Sequence, residues 1–266
     1  MTDTRLQSYG SKALVTGASS GIGKAFSEHL AAAGFDLILV ARRESLLTEL
    51  ANDLTRQYPI QCSVFSIDLG ETSDIARLIT YAQTQDIGLL ILNAGFGYKG
   101  CFEEQDYAQL NAMLQVNLMA PTQITHALLP RMKQRQRAGI ILTGSIEGEA
   151  PFPYSSAYAA SKAYIHGLGN SLYAECLDDG VDVLVLSPGS TDTDAPISQG
   201  ISRDQLVGIM RPETVAAQAL QQLGKRPLWI TGMHNRLFIK ILRWLPRKAA
   251  SILAGKGMKK AIEASR

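Results

Sequence analysis

Short, continuously apolar segments alternate with longer amphipathic segments along most of the chain. The apolar runs are rich in leucine or β-branched residues and predict strands at 12–16, 35–41, 62–67, 88–93, 139–143, 181–187 and 228–231. Near-continuous hydrophobicity is typical of strands that are buried on both faces. Segments with helical periodicity lie between them, at 22–33, 43–57, 72–85, two within 104–136, 156–179 and 212–223. This alternation predicts one doubly wound α/β domain, with a seven-stranded, mostly parallel sheet and helices on both faces.

One segment interrupts this alternation, and another follows the last predicted strand. Residues 190–211 are polar and interrupted, and they follow the sixth predicted strand. Because ligands of doubly wound sheets bind beyond the carboxyl ends of the strands, this segment is predicted to be a loop that covers a substrate. We therefore expect residues 1–235 to form the α/β domain with its ligand site, and residues 236–266 to form an extension.

A glycine-rich turn follows the first predicted strand and opens the first long helix. Its sequence is VTGASSGIGKA, which places Gly17, Gly21 and Gly23 at the spacing G-x-x-x-G-x-G. Glycines let the backbone approach a ligand closely, and the N–H groups of the next helix attract a phosphate. The alternative is an ordinary tight turn between strand and helix, but the position favours a dinucleotide site of the Rossmann type.

The end of the second strand bears on which dinucleotide is bound. An NAD site places a carboxylate there to bind the ribose 2′-hydroxyl. This chain has Arg42 and Arg43 instead, with no acid before Glu44. Guanidinium groups bind phosphate well, so the sequence favours NADP(H) as the cofactor. The alternative is that the two arginines are only solvated at the surface and bind no phosphate.

Further motifs appear in a fixed order. Y-A-A-S-K at 158–162 puts Tyr158 and Lys162 on one face of an alanine-rich helix. The others are T-G-A-S-S-G-I-G at 16–23, D-L at 68–69, N-A-G at 93–95, V-N at 116–117, T-G-S at 143–145 and P-G-S-T-D-T at 188–193. With this set, the chain resembles the short-chain dehydrogenase/reductase family over roughly residues 10 to 235. One departure is Leu92, where the family often has a second asparagine.

The resemblance implies a catalytic group of Asn117, Ser145, Tyr158 and Lys162. A free phenol has a pKa near 10. We expect the ammonium of Lys162 and an oxidised nicotinamide to lower the pKa of Tyr158, so that it serves as general acid and base. Ser145 would bind the reacting oxygen. By family analogy, Asn117 would hold a water that links the lysine to solvent.

The resemblance also implies the cofactor contacts. They are Gly17, Ser19, Ser20, Gly21, Ile22, Gly23, Arg42, Arg43, Asp68, Leu69, Asn93, Ala94, Gly95, Tyr158, Lys162, Pro188, Gly189, Thr191 and Thr193. Asp68 has an alternative role as a simple cap at the end of its strand. Loop residues expected around the substrate are Phe96, Tyr98, Glu147, Glu149, Phe152, Tyr154 and Pro196 to Ile201, and their composition favours an apolar carbonyl or alcohol.

The charge is unevenly distributed. Residues 236–266 contain nine Lys or Arg and one acid, whereas the rest contains 17 basic and 23 acidic residues. Arg236, Lys240, Arg243 and Arg247 form a helical stripe of charge opposite an apolar face of Leu237, Phe238, Ile241, Leu242 and Leu245. That face either packs on the protein or another subunit, which is the commoner arrangement, or lies in a membrane interface.

The cysteines and histidines bear on the cellular compartment and on metal binding. Three scattered cysteines without a C-x-x-C pair and the absence of a secretory signal favour a cytoplasmic protein, with loose membrane association as the alternative. The four histidines lack metal-ligand spacing, so no metal site is expected.

The sequence therefore predicts an NADP(H)-dependent oxidoreductase acting on a small-molecule carbonyl or alcohol. The resemblance implies a homodimer or homotetramer formed through the helices at 104–136 and 156–179. A rival prediction is a dinucleotide-sensing protein without turnover, although all four catalytic positions are kept. A nucleic-acid binder is not expected, because only the basic tail points to one.

Overall fold

Seven parallel strands form one sheet at the centre of the computed structural model, which describes residues 4–193 and 208–263. The strands are β1 Lys12–Thr16, β2 Asp36–Ala41, β3 Cys62–Ser66, β4 Leu89–Leu92, β5 Ala138–Thr143, β6 Val181–Ser187 and β7 Leu228–Ile230. Their order is β3-β2-β1-β4-β5-β6-β7, and every pairing between neighbours is parallel. The predicted doubly wound fold is confirmed, with a sheet that is parallel throughout the described strands.

Helices cover both faces of the sheet. They are α1 Thr4–Gln7, α2 Gly21–Ala32, α3 Glu44–Gln57, α4 Thr72–Ala82, α5 Tyr107–Leu114, α6 Ala120–Met132, α7 Ser156–Glu175, α8 Pro212–Gln222, α9 Met233–Trp244 and α10 Arg247–Glu263. Helices α2, α3 and α8 contribute to the apolar layer on one face, and α4, α6 and α7 contribute to the layer on the other. The strand side chains pack into both layers, which explains their near-continuous hydrophobicity.

The reversal of strand order creates the crevice in which a ligand can bind. Strand β1 pairs with β2 on one side and with β4 on the other, so the connections leave its end in opposite directions. Thr16, the last residue of β1, ties the strand ends together there. Its Oγ1 accepts hydrogen bonds from the backbone N–H groups of Asn93, at 2.9 Å, and Ala94, at 3.0 Å.

The basic tail forms two helices, α9 and α10, which are separated at Leu245 and Pro246. Proline disrupts a helix interior, which accounts for the break. Ile239, Leu242 and Ala250 are buried in a third apolar cluster that joins the tail to the sheet. Part of the tail therefore packs on the protein, as the commoner alternative predicted.

No helix among the described residues is both long enough and apolar enough to cross a membrane. Of the predicted loop at 190–211, residues 194–207 lie outside the described residues, and Pro196 to Ile201 are among them. The ends of that segment meet in a parallel bridge between Thr191 and Met210.

Candidate active site

A cavity of about 1060 Å³ lies over the carboxyl ends of the strands. It is lined by most of the predicted cofactor residues, namely Gly17, Ser19, Ser20, Gly21, Ile22, Arg42, Arg43, Asp68, Leu69, Asn93, Ala94, Gly95, Tyr158, Lys162, Pro188, Gly189, Thr191 and Thr193. Of the predicted catalytic residues, Ser145, Tyr158 and Lys162 line it. Among the described residues, Gly23 and Asn117 lie behind this lining rather than in it.

The glycine turn has a shape that only glycine permits. Gly17 has a φ of +68°, a conformation that is strained for other residues. A Cβ on Gly23 would lie 2.1 Å from the carbonyl oxygen of Gly17, so the start of α2 packs directly against the turn. The first N–H groups of α2 lack partners within their own helix, and they open beside the cavity. These residues fit the pyrophosphate of a dinucleotide.

Two arginines border the same end of the cavity. Arg43 donates hydrogen bonds to the hydroxyl groups of Ser19, at 3.0 Å, and Ser20, at 2.6 Å. Arg42 lies farther out, with its Nη1 3.9 Å from a carboxylate oxygen of Asp68. Both guanidinium groups are exposed and line the cavity, so their charge faces any ligand at that end.

Asp68 combines the two roles considered for it. Its Oδ1 accepts a hydrogen bond of 2.8 Å from the N–H of Gly70, which caps the turn after β3. The residue also lines the cavity beside Leu69. The capping role therefore leaves Asp68 at the cavity, and its contact with a cofactor stays a prediction.

Ser145, Tyr158 and Lys162 meet at the opposite end of the cavity. Ser145 follows β5, and Tyr158 and Lys162 lie one turn apart on α7. The Ser145 hydroxyl lies near enough to the Tyr158 phenol to lower its pKa. Lys162 is buried, and its Nζ lies 5.7 Å from the centre of the Tyr158 ring. Two hydroxyl groups beside a buried ammonium can bind one carbonyl oxygen and exchange a proton with it.

The protein environment shifts the pKa of Tyr158 in the direction opposite to the expectation. Burial raises this pKa above the ordinary value for a phenol, and the carboxylate of Glu147 raises it further. The Ser145 hydroxyl lowers it by less. The prediction that Lys162 makes the phenol acidic is therefore wrong for the chain by itself. These residues hold Tyr158 as a neutral phenol, which is a proton donor.

Burial makes the ammonium of Lys162 more acidic than that of an ordinary lysine. Burial lowers its pKa to about 8, although the charge of Glu147 acts in the opposite direction. Its Nζ donates a hydrogen bond of 2.8 Å to the carbonyl oxygen of Thr143, the last residue of β5. This bond fixes the ammonium under the strand end.

Asn117 lies in a π-helical turn, Gln115–Met119, which interrupts a segment predicted to be helical. Such turns often occur at functional sites. Its amide donates to the carbonyl oxygen of Phe96, at 2.9 Å, and to Ser161 Oγ, at 3.1 Å, and its Oδ1 accepts from the N–H of Phe96. A Cβ on Gly95 would lie 2.9 Å from this Oδ1 and 3.2 Å from Lys162 Nζ. Asn117 therefore holds the loop after β4 against Lys162.

An ion pair packs against Tyr158 and was not predicted from the sequence. Lys99 Nζ lies 2.6 Å from both carboxylate oxygens of Glu147 and 2.7 Å from the hydroxyl oxygen of Ser155. It also lies 4.9 Å from the centre of the Tyr158 ring. Lys99 and Glu147 are 48 positions apart in the sequence, so no local sequence pattern predicts that they pair. Glu147 was predicted near the substrate, but its buried partner was not.

Glu149 was also predicted beside the substrate, but it lies behind Ser145. Its side chain is 0% exposed, and its Oε1 lies 3.1 Å from Nδ1 of His166. His166 Nε2 in turn accepts a hydrogen bond of 3.4 Å from the N–H of Ser145. On the other side, the carboxylate pairs with Arg243 of α9. A continuous set of polar contacts therefore joins the tail to the backbone of Ser145.

The substrate end of the cavity is largely apolar. From the predicted set, Phe96, Glu147 and Phe152 line it. Within the described part of the chain, Tyr98, Glu149 and Tyr154 lie outside the lining. The tail supplies a part of the wall that the sequence did not predict, consisting of Phe238, Leu253, Ala254, Lys256, Gly257 and Met258.

Comparisons with known proteins agree with this arrangement. The family model for the short chain dehydrogenases matches residues 11–203. The 7beta-hydroxysteroid dehydrogenase of Clostridium sardiniense is 34% identical over 231 residues, covering 86% of this chain and 88% of that protein. The very-long-chain 3-oxoacyl-CoA reductase of Neurospora crassa is 36% identical over 196 residues, covering 70% of this chain and 59% of that protein. The structure of a short-chain dehydrogenase from Sphingobium yanoikuyae in complex with NADPH matches with a TM-score of 0.81 and 30% identity, covering 88% of this chain and 92% of that one.

Proposed function

This chain belongs to the short chain dehydrogenase family, and from that premise we propose that it uses NADPH to reduce a bulky apolar ketone. As a member of the family it is an oxidoreductase that binds a nicotinamide cofactor and transfers hydride. The observation that carries the proposal is the layout of the cavity. A phosphate-binding turn with two arginines lies at one end, and Ser145, Tyr158 and Lys162 lie at the other.

The arginines support NADP(H) over NAD(H). A site for NAD favours a carboxylate after β2, whereas Arg42 and Arg43 follow that strand here. Arg43 is held against Ser19 and Ser20, so its fork is already directed to the phosphate end of the cavity. The protein from Sphingobium yanoikuyae, which was solved with NADPH, is consistent with this assignment.

The residues at the other end of the cavity bind the carbonyl oxygen of the substrate and donate a proton to it. When bound, NADPH supplies the hydride that reduces the carbonyl carbon. Tyr158, kept neutral by burial and by Glu147, donates its proton to the carbonyl oxygen. Ser145 donates a hydrogen bond to the same oxygen as negative charge develops on it. Lys162 stabilises the phenolate that remains, and Asn117 positions the loop beside that lysine.

The lining supports an apolar substrate. Phe96, Ile146, Phe152, Phe238 and Leu253 contribute to the wall near Tyr158. Such walls gain free energy when they bury apolar surface. The names of two relatives indicate a hydroxysteroid and a very-long-chain 3-oxoacyl-CoA as their substrates, and each carries a large apolar part, the steroid or the long acyl chain. We propose a ketone of that class for this chain.

A homo-oligomer is also proposed. Large apolar side chains are exposed on the face formed by α5, α7 and their connections, namely Phe102, Tyr107, Leu114, Met119 and Tyr164. Burial of such a patch between two copies would stabilise a dimer. Light scattering of the purified protein measures the mass directly. A monomer at every concentration would overturn this part of the proposal.

The test of the reaction is a panel of steroid, acyl, aromatic and sugar ketones, with NADPH or NADH and detection at the nicotinamide absorbance. We expect turnover of bulky apolar ketones with NADPH. Tyr158→Phe should lower kcat by at least about a hundredfold, since general acid catalysis contributes roughly 10²–10⁴. Tyr164→Phe is the matched control, because Tyr164 lies on the same helix with its hydroxyl at the surface, bonded to Thr122. Unchanged turnover in Tyr158→Phe, or best turnover on a sugar, would contradict the proposal.

The cofactor is tested separately. Arg42→Ala and Arg43→Ala should each raise the KM for NADPH by about tenfold, because each removes a charged contact to phosphate. The KM for NADH should change little. Equal effects on both cofactors would show that these arginines do not bind a phosphate of the adenosine ribose.

A further inference from the structure

Helix α9 carries an apolar stripe that faces away from the protein. Met233, Leu237, Ile241 and Trp244 follow the spacing i, i+4, i+8, i+11 and therefore share one face of the helix. Their exposed fractions are 80%, 60%, 48% and 83%. Single exposed apolar residues are ordinary, whereas a continuous row of them marks a surface that binds something.

The charge beside the stripe has one sign. Arg236 and Lys240 run along its edge, Arg247 and Lys248 follow at the start of α10, and Arg243 between them is paired with Glu149. The sequence contains no acid from Met233 to Lys259. The surface that the stripe and these cations form together is therefore basic as well as apolar.

The helix is fixed so that this surface remains outside. Ile239 and Leu242 are buried on the opposite face, against the cluster that contains Phe152 and Ile230. The side-chain amide of Asn235 donates a hydrogen bond of 2.8 Å to the carbonyl oxygen of Thr231. Folding back of the stripe onto the domain would break this packing, so the stripe stays on the outside, where an external partner can reach it.

The stripe also lies next to the mouth of the cavity. Phe238, which follows Leu237, lines the cavity, and so does Leu253 of α10. Leu253 is still 48% exposed and its neighbour Ile252 is 50% exposed. Apolar surface therefore continues from the outside of the tail to the wall of the substrate site.

We propose that the apolar stripe and its cations dock the protein on the surface of an anionic phospholipid bilayer. A bilayer supplies negative headgroups for the cations and an apolar interior for Leu237 and Ile241, while an interfacial depth suits the ring of Trp244. A second copy of the chain fits less well, because a two-fold contact would bring the cations of both copies together with no acid between them. The docking itself does not depend on the proposed function. An apolar substrate dissolved in the bilayer would then lie beside the cavity.

The test uses the full chain and vesicles of phosphatidylcholine, with or without phosphatidylglycerol. We expect flotation with the anionic vesicles, weaker flotation at high salt and little flotation with neutral vesicles. Leu237→Gln and Trp244→Gln should each weaken the partition by about tenfold, because each removes a large apolar side chain from the buried face. Leu177→Gln is the matched control, since Leu177 is 61% exposed but lies far along the chain from the tail. Thermal unfolding and NADPH binding confirm that the variants fold.

The fluorescence of Trp244 tests directly whether α9 lies in the membrane interface. The difference between the emission spectra of the unaltered chain and Trp244→Phe isolates Trp244, and it should shift to shorter wavelength with anionic vesicles. Equal flotation of all variants, or none with any vesicle, overturns the proposal. A dimer that Trp244→Gln dissociates, seen by light scattering without vesicle binding, also overturns it and assigns the stripe to a second copy.

Discussion

Lys99 and Glu147 form an ion pair whose removal tests the description of the catalytic end. Their side chains are 2% and 16% exposed, and Nζ lies 2.6 Å from the carboxylate. Glu147→Gln leaves the ammonium of Lys99 buried without its carboxylate. Breaking a buried pair in this way costs about 3–5 kcal/mol of unfolding free energy. In a chain of this size, that corresponds to a fall in Tm of about 10 °C.

The double variant separates this effect from loss of packing. Lys99→Met alone should also be destabilising, because it leaves the carboxylate of Glu147 behind. Lys99→Met combined with Glu147→Gln removes both charges. We expect the double variant to lose less unfolding free energy than the sum of the two single losses, by about 2 kcal/mol or more. Urea unfolding of the four proteins gives this coupling free energy. Asp179→Asn, which breaks the more exposed pair with Lys133, should cost less than about 1 kcal/mol.

The same substitution has a consequence for catalysis. Glu147 raises the pKa values of both Tyr158 and Lys162, so Glu147→Gln should lower both. Reduction requires the protonated phenol and the ammonium beside it, and its rate falls first as the pH rises through the pKa of Lys162, which is about 8 in the unaltered chain. The alkaline limb of the kcat/KM profile should therefore move to lower pH in the variant. Single costs below about 1 kcal/mol that simply add, or an alkaline limb that moves to higher pH, would refute the reasoning.

Two further predictions follow from the packing around the same residues. The folded state lowers the pKa of Lys162 to about 8 from an ordinary 10.5, so the folded protein loses this proton before the unfolded chain does, and stability gains with pH between those values. Urea unfolding should show the stability of the unaltered chain rising relative to Lys162→Met across that window, and a fall would contradict the burial of the ammonium. A Cβ on Gly97 would lie 2.5 Å from Cδ2 of Tyr158, so Gly97→Ala should displace the ring and lower kcat by about tenfold or more while NADPH binding, measured by fluorescence, persists. Gly167→Ala, which meets nothing within 4 Å, should keep full activity.

Much of the fold could be predicted from local pattern. Strands buried on both faces are continuously apolar, and β1, β3 and β6 lie within one residue of their predicted bounds. The order of the motifs also placed the cofactor and catalytic residues around one cavity. Each of these signals is contained in a short stretch of sequence, or in the regular alternation of strand and helix.

The features that escaped prediction depend on contacts between distant positions. Lys99 and Glu147, and likewise Glu149 and Arg243, lie 48 and 94 positions apart. The raised pKa of Tyr158 was not predicted because its largest cause is burial, which one sequence does not report, and the charge of Glu147 acts in the same direction. The apolar side of the tail was recognised, but which part of it is buried depends on the shape of the domain beneath.

The buried carboxylate of Glu149 makes the tail a structural part of the catalytic unit. A protein shortened after β7 would retain the whole nucleotide-binding sheet, yet it would lose Arg243 and leave a negative charge sealed behind Ser145. Anyone who exchanges the carboxyl-terminal segments of related enzymes to alter their preferences would have to transfer the partner of this carboxylate as well. The boundary of a usable module in this protein therefore lies beyond Arg243 of α9 and not at the last strand.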